Sequence, residues 1–317
     1  MRVSRQFLIQ TLLAAILLWP AHAETYPTRY IKLIVGAGLD STGRLLAARM
    51  EKVLGQAVIV DARPGAGGAI AAQAAAVAQP DGYTLMMGTG ANVIQTALGQ
   101  SHIDLRKDFQ PIGNITTIKY VLVIHPSVPA RSLAELIAYA KANPGRLNFV
   151  SGGLGTPPHL AMEAFRAMTN LDMVHVPYRD ANSAMAAVLS GTGQMMFAMA
   201  AIAQPQIAAG KVIGLGVSSI EPSPFASQIK PVAEQGLPTF NIVGWNGLFA
   251  PKGVPKDIID RLSTIVQDAL QDPEFQNAIL KTGYEPAPRN NPTEFAAFVE
   301  SESVKWRELL LNLNLKP

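Results

Sequence analysis

Ser151-Gly-Gly-Leu-Gly-Thr-Pro-Pro-His159 follows a short apolar run, Leu147 to Val150, that reads as a strand. It precedes Leu160 to Met168, which reads as a helix with one apolar face. A strand, a small-residue loop and a helix start place backbone N–H groups toward open space. The first helical turn leaves its N–H groups without partners, and the dipole there favours an anion. Glycine lets a ligand approach the backbone closely. Ser151 and Thr156 add hydroxyls, and proline suits a first helical turn. The stretch therefore reads as a cradle for a carboxylate or other small anion. Its alternative is an ordinary strand-to-helix loop with a capping Thr.

Upstream, the same grammar repeats. Tyr30 to Val35 reads as a strand, Gly36 to Gly43 as a loop and Arg44 to Leu54 as a helix closed by Gly55. Ala57 to Val60 is a second strand, followed by the loop Asp61 to Gly68 and an alanine-rich helix to Ala78. Tyr83 to Met87 is a third, with Gly88 to Asn92 after it. This alternation predicts α/β lobes, each a mainly parallel sheet flanked by helices. The strand Tyr120 to Ile124 reads as a first crossing between lobes, and Asn241 to Ala250 as the return. The expected division is lobe 1 over 24–123 and 246–317, and lobe 2 over 124–245.

Residues 1–23 carry Arg2 and Arg5, an apolar run from Phe7 to Trp19 and Ala21-His-Ala23. That is the pattern of a cleavable signal peptide, with the mature chain starting near Glu24. The run is too short for a membrane span. Loss of Arg2 and Arg5 takes the 26 basic residues to 24 against 23 acidic ones, so the charge of +3 falls to +1. No basic cluster remains to bind nucleic acid. The absence of cysteine excludes disulfides and thiol chemistry.

Two enzyme readings compete: an exported α/β enzyme of the nucleotide-binding or of the hydrolase type. Gly36-Ala-Gly-Leu-Asp-Ser41 with Asp61 approaches a dinucleotide fingerprint, but Ser41 stands at the third glycine. No Gly-x-Ser-x-Gly elbow occurs, and His102, His125, His159 and His175 lack metal-type spacing. Arg179 reads either as a bidentate grip on a carboxylate or as a partner of Asp180. Trp245 reads as a cleft wall or as core, and Met195, Met196 and Met199 as packing.

Several stretches carry a family resemblance: Tyr26-Pro to Ile34, Arg63 to Gly68, Pro80 to Leu85, His125 to Pro129, Ser151 to Leu160, Val174 to Tyr178 and Gly247 to Pro251. In this order the chain resembles the periplasmic solute receptors of tripartite tricarboxylate transporters, the Bordetella-uptake-gene type. The resemblance implies a two-lobe type II periplasmic-binding-protein fold with two crossover segments. It implies no cofactor and a monomer that presents a small carboxylate to a two-component integral membrane permease. The site it implies comprises Gly38, Asp40, Ser41, Thr42, Thr89 and Asn92 of lobe 1. In lobe 2 it comprises Ser151, Gly153, Gly155, Thr156, Tyr178, Arg179 and Ala198; Trp245, at the return crossing, joins the expected site on the cleft-wall reading alone. Three departures stand out. The first loop is short, Arg179-Asp180 replaces Lys-Gly, and Ala198-Met199 stand where an Asp is frequent. The shorter, more apolar cleft they imply suits a bulkier or aromatic acid, or marks a paralogue with weakened binding.

Overall fold

The computed structural model describes residues 26–313; the expected signal peptide and its cleavage site lie outside the described residues. The chain builds two sheets. The first has six strands in the order β11-β4-β10-β3-β1-β2 and the second five, β7-β6-β8-β5-β9. Their bounds are β1 Ile31–Val35, β2 Val58–Ala62, β3 Thr84–Thr89, β4 Phe109–Ile118, β5 Tyr120–Ile124, β6 Asn148–Ser151, β7 Val174–Pro177, β8 Met195–Met199, β9 Ile213–Val217, β10 Gly244–Pro251 and β11 Glu285–Pro286. Helices cover both sheets, and Leu33, Met87, Leu248 and Val266 are among the sealed core of the first. Among the described residues no helix is long and apolar enough to cross a membrane.

The βα alternation yields the parallel pairs, β1 with β2 and β3, and β6 with β7 and β8. Each sheet also takes one strand that arrives from the other lobe. β10 runs antiparallel to β3 and β4, and β5 antiparallel to β8 and β9. A strand delivered across the lobes has no βαβ connection to turn it parallel, so both sheets are mixed.

Every residue of β5 pairs within the second sheet, and Gly244 and Trp245 pair with β4 in the first. The sheet change therefore falls at Lys119 and at Val243 rather than after 123 and 245. The two joints lie side by side: Gly244 is the ladder partner of Ile118. Buried Ser218 ties both from the second lobe, accepting from the Tyr120 N–H at 3.1 Å and donating to the Ile242 carbonyl at 2.6 Å.

β4 has no counterpart in the sequence reading, because Pro111 and Gly113 look like loop punctuation. Its neighbour β11 reaches only Thr116 and Thr117, so Pro111 sits where the strand has a free edge and needs no N–H. The helix expected from Arg44 begins at Asp40 and ends on Gly55 in the left-handed region. Ser41 and Thr42 are therefore helical rather than loop residues.

Candidate functional site

A cavity of about 300 Å³ lies between the lobes. Ala37, just beyond β1, bounds it from the first lobe, and Gly152, Thr156, Ala181 and Ala198 bound it from the second. These residues follow or end strands at their carboxyl edges, where ligands bind in open α/β sheets. Three helices of the second lobe begin there, Pro157–Thr169, Ala181–Leu189 and Ala200–Ala208. A wider opening of about 900 Å³ adjoins the cavity at Met199 and Ile202 and continues to Leu280–Tyr284.

The loop that anchors the sequence reading lies beside the cavity, but its donors are arranged differently from the cradle expected. Pro157 and Pro158 occupy the first turn of their helix and remove two N–H groups. The Gly155 N–H donates to His159 Nδ1 at 3.2 Å and the Gly153 N–H to Ser151 Oγ at 3.3 Å. Thr156 Oγ1 donates to the Gly153 carbonyl at 2.8 Å. Ser151 is fully buried, with Oγ 2.8 Å from His175 Nε2. The loop is thus self-bonded, and Gly152, Thr156, Pro157 and Pro158 are its members on the cavity wall.

The remaining expected residues divide clearly. Ala198 lines the cavity, and Gly38 follows Ala37 with its carbonyl accepting from Tyr284 Oη at 3.0 Å. Asp40 forms an exposed pair with Arg44 at 2.8 Å, and that hydrogen bond holds its carboxyl below the usual range. Ser41 is exposed on the same helix. Thr42 is sealed inside the lobe with its hydroxyl unpartnered, so it cannot touch a cleft ligand. Thr89 and Asn92 form a capping box: Asn92 Oδ1 accepts from the Thr89 N–H at 2.9 Å, and Thr89 Oγ1 from the Ala91 N–H at 3.2 Å. The two side chains hold their own helix start.

Tyr178 continues the β7 ladder through its N–H to the Ser151 carbonyl at 2.8 Å and is outside the cavity lining. Arg179 corrects the carboxylate-grip reading. Its side chain is 88% exposed and its Nε lies 3.0 Å from Asp180, which in turn caps the Ala181 helix. Trp245 corrects the cleft-wall reading: it is 1% exposed and donates to Glu302 Oε2 at 3.1 Å. Asp61, which a dinucleotide site would need free, is held by Arg63 at 3.0 Å.

Sequence reasoning missed Ala37, Tyr120, Met185 and Ile202, all of which line the cavity. Alternation marks Tyr120 only as the first residue of a strand, and nothing local shows that this strand begins at the seam between lobes.

Behind the loop, His159, Glu163 and His175 bring their ligand-type atoms within 4.8 Å of one another. The tautomers disfavour a metal. His159 Nδ1 accepts from Gly155, so the neutral ring carries its proton on Nε2, which faces Glu163 Oε1 at 3.7 Å. Glu163 is already paired with Arg166 at 2.7 Å. The two rings lie against each other, 4.2 Å between centroids and tilted by 34°. Burial pushes both imidazoles down to about 4, with smaller contributions from His175 and Arg166 on His159 and from Arg166 on His175. Both are neutral at pH 7.

The lobes touch on either side of the cavity. A methyl on Gly155 would stand 2.9 Å from Leu98 Cδ1 of the first lobe, and one on Gly283 3.2 Å from Ala201 Cβ of the second. Buried Glu285 of the first lobe takes Lys119 at 3.0 Å and Ser223 of the second lobe at 2.6 Å.

This architecture is that of a two-lobe solute-binding protein. The family described as tripartite tricarboxylate transporter family receptor matches residues 42–315, and the chain belongs to that family. The UPF0065 protein in the tcbD–tcbE intergenic region of Pseudomonas sp. is 32% identical, covering 92% of this chain and 88% of that protein. A solved structure of R. palustris Rpa4515 with adipate has a TM-score of 0.80 at 29% identity, covering 91% of this chain and 98% of that one. MatC from Rhodopseudomonas palustris with bound malate has a TM-score of 0.75 at 28% identity, covering 90% and 100%. The family is one of receptors, so the enzyme readings fall.

Proposed function

We propose that this chain is a periplasmic receptor that holds a small organic carboxylate between its lobes and delivers it to a two-component integral membrane permease. The observation that carries this reading is the cavity, where three helix starts of one lobe face the loop after β1 of the other. Helix starts favour an anion through their dipoles. A ligand that touches both lobes stabilises the closed arrangement, and closure is what a permease can recognise. The bound adipate and malate of the two similar proteins support the carboxylate class.

A thermal-shift screen of the mature chain against mono- and dicarboxylates tests this. A ligand at 100-fold over its Kd adds roughly 2.7 kcal/mol to stability. A screen in which no carboxylate raises Tm ends the reading. Export is tested separately: mass spectrometry of the periplasmic protein should find its first residue at or near Glu24. The working species is a monomer, which sedimentation with and without ligand checks.

A further inference from the structure

We infer that the cleft selects a monocarboxylate with an apolar body, aryl or medium-chain alkyl, over compact or hydroxylated dicarboxylates. This rests on the carboxylate-receptor reading and narrows it. Among the residues lining the cavity, Tyr120 and Thr156 alone have polar side chains, and none carries a charge. The Thr156 hydroxyl already donates to the Gly153 carbonyl. Tyr120 is different. It is 4% exposed, and its hydroxyl has no hydrogen-bond partner among the described residues.

The sealed, unpartnered side-chain atoms of the described residues belong to Thr42, Arg49 and Asn114. Tyr120 Oη is neither paired nor sealed, so it borders open space, and the cavity is the space that Tyr120 lines. The oxygen sits at the seam, where a methyl on Gly244 would collide with it. Burial, then the nearby Tyr284 and Glu302, raise its pKa, which keeps it protonated and a donor. One free side-chain donor beside clustered helix starts suits one carboxylate.

The rest of the wall decides the remainder of the ligand. Met185, Met196, Phe197, Met199 and Ile202 offer apolar surface. A second carboxylate or a hydroxyl placed against them loses water and gains no partner. Lys281 lies in the adjoining wider opening rather than on the cavity wall. Each buried methylene is favourable, roughly fourfold in affinity. The volume of about 300 Å³ is at the small end for ligand sites, which limits the body to a ring or a short chain.

Calorimetric titration of the dialysed mature chain tests the inference with two matched pairs, hexanoate against adipate and benzoate against malate. The monocarboxylate of each pair should bind at least tenfold tighter. Equal or tighter binding of adipate or malate overturns the inference and leaves the receptor reading standing. Failure of all four acids to bind sinks both. Tyr120→Phe removes a hydroxyl that no protein group uses, so Tm without ligand should hold while hexanoate affinity falls at least tenfold. Unchanged affinity removes Tyr120 from the site. Ile202→Thr should weaken hexanoate severalfold and narrow its advantage over adipate; an unaltered ratio counts against the apolar wall.

Discussion

Trp245 and Trp306 donate to the same oxygen, Glu302 Oε2, each at 3.1 Å. One indole lies on β10 and the other on the C-terminal helix Pro292–Asn312, and both are fully buried. The carboxylate is also bonded by Lys305. Glu302→Ala would leave two indole donors unsatisfied in the core of the first lobe. Unmet buried donors cost about 1–3 kcal/mol each. Thermal denaturation followed by intrinsic fluorescence should show a fall of several degrees, with both tryptophans shifting in emission. An unchanged Tm would mean that the shared acceptor contributes nothing.

Gly155 sits in the left-handed region, and its Cα faces Leu98 across the cleft. Gly155→Ala should lower ligand affinity about tenfold by obstructing closure, and Gly155→Val more. Leu98→Ala in the Gly155→Ala background should recover part of the loss, because the colliding atom is gone. Calorimetry of the single and double variants reads this coupling. Strictly additive losses would place the effect in backbone strain alone.

His159 and His175 give a defined pH dependence. Their folded pKa values near 4 lie below the ordinary 6.5. The unfolded chain therefore binds more protons between those values, and stability rises with pH across that window. The contribution is complete above about pH 6.5 and is lost as pH falls toward 4. For buried His159 it is on the order of 2 kcal/mol, and for half-buried His175 less. His159→Gln keeps an acceptor for the Gly155 N–H but cannot titrate. Urea midpoints measured at pH 7.5 and pH 5 should differ less in this variant than in the wild type; an identical drop would assign the dependence elsewhere.

Thr42 offers the reverse case, a polar side chain the fold can lose. Its hydroxyl is buried without a partner. Thr42→Val removes the unmet group at nearly constant shape and should stabilise the chain by about 1 kcal/mol. Ligand affinity should stay unchanged. A tenfold loss of affinity would return Thr42 to the site.

The legible part of the fold is its βα grammar, because alternating apolar runs and small-residue loops are local signals. The strand β4 was hidden by Pro111, whose tolerance depends on an edge that only the assembled sheet reveals. The site was harder to read. Polar residues beside loops, such as Asn92 and Ser151, looked like ligand contacts, and the fold uses them for a cap and a buried loop network. Thr156 and Ala198 do lie on the cavity wall, Thr156 in the loop after β6 and Ala198 near the end of β8, positions that the strand-and-loop pattern marks locally. Tyr120 was not, because its position at the seam is set by pairing between residues far apart in the chain.

The joints at Lys119 and Val243 have a consequence for construction. Ile118 and Gly244 are ladder partners, so the second lobe enters and leaves the first through adjacent positions of one antiparallel pair. In genetic terms it is a cassette inserted at a hairpin end. Removing residues 119–243 brings together two chain ends that a two-residue turn can close. The same cut points allow the cassette to be exchanged between relatives because the two ends adjoin, provided the buried seam of Tyr120, Ile242 and Gly244 is matched in the exchange. Chimeras built at this seam would carry one protein's second lobe on another's first, and ligand preference could be transplanted as a single block of sequence.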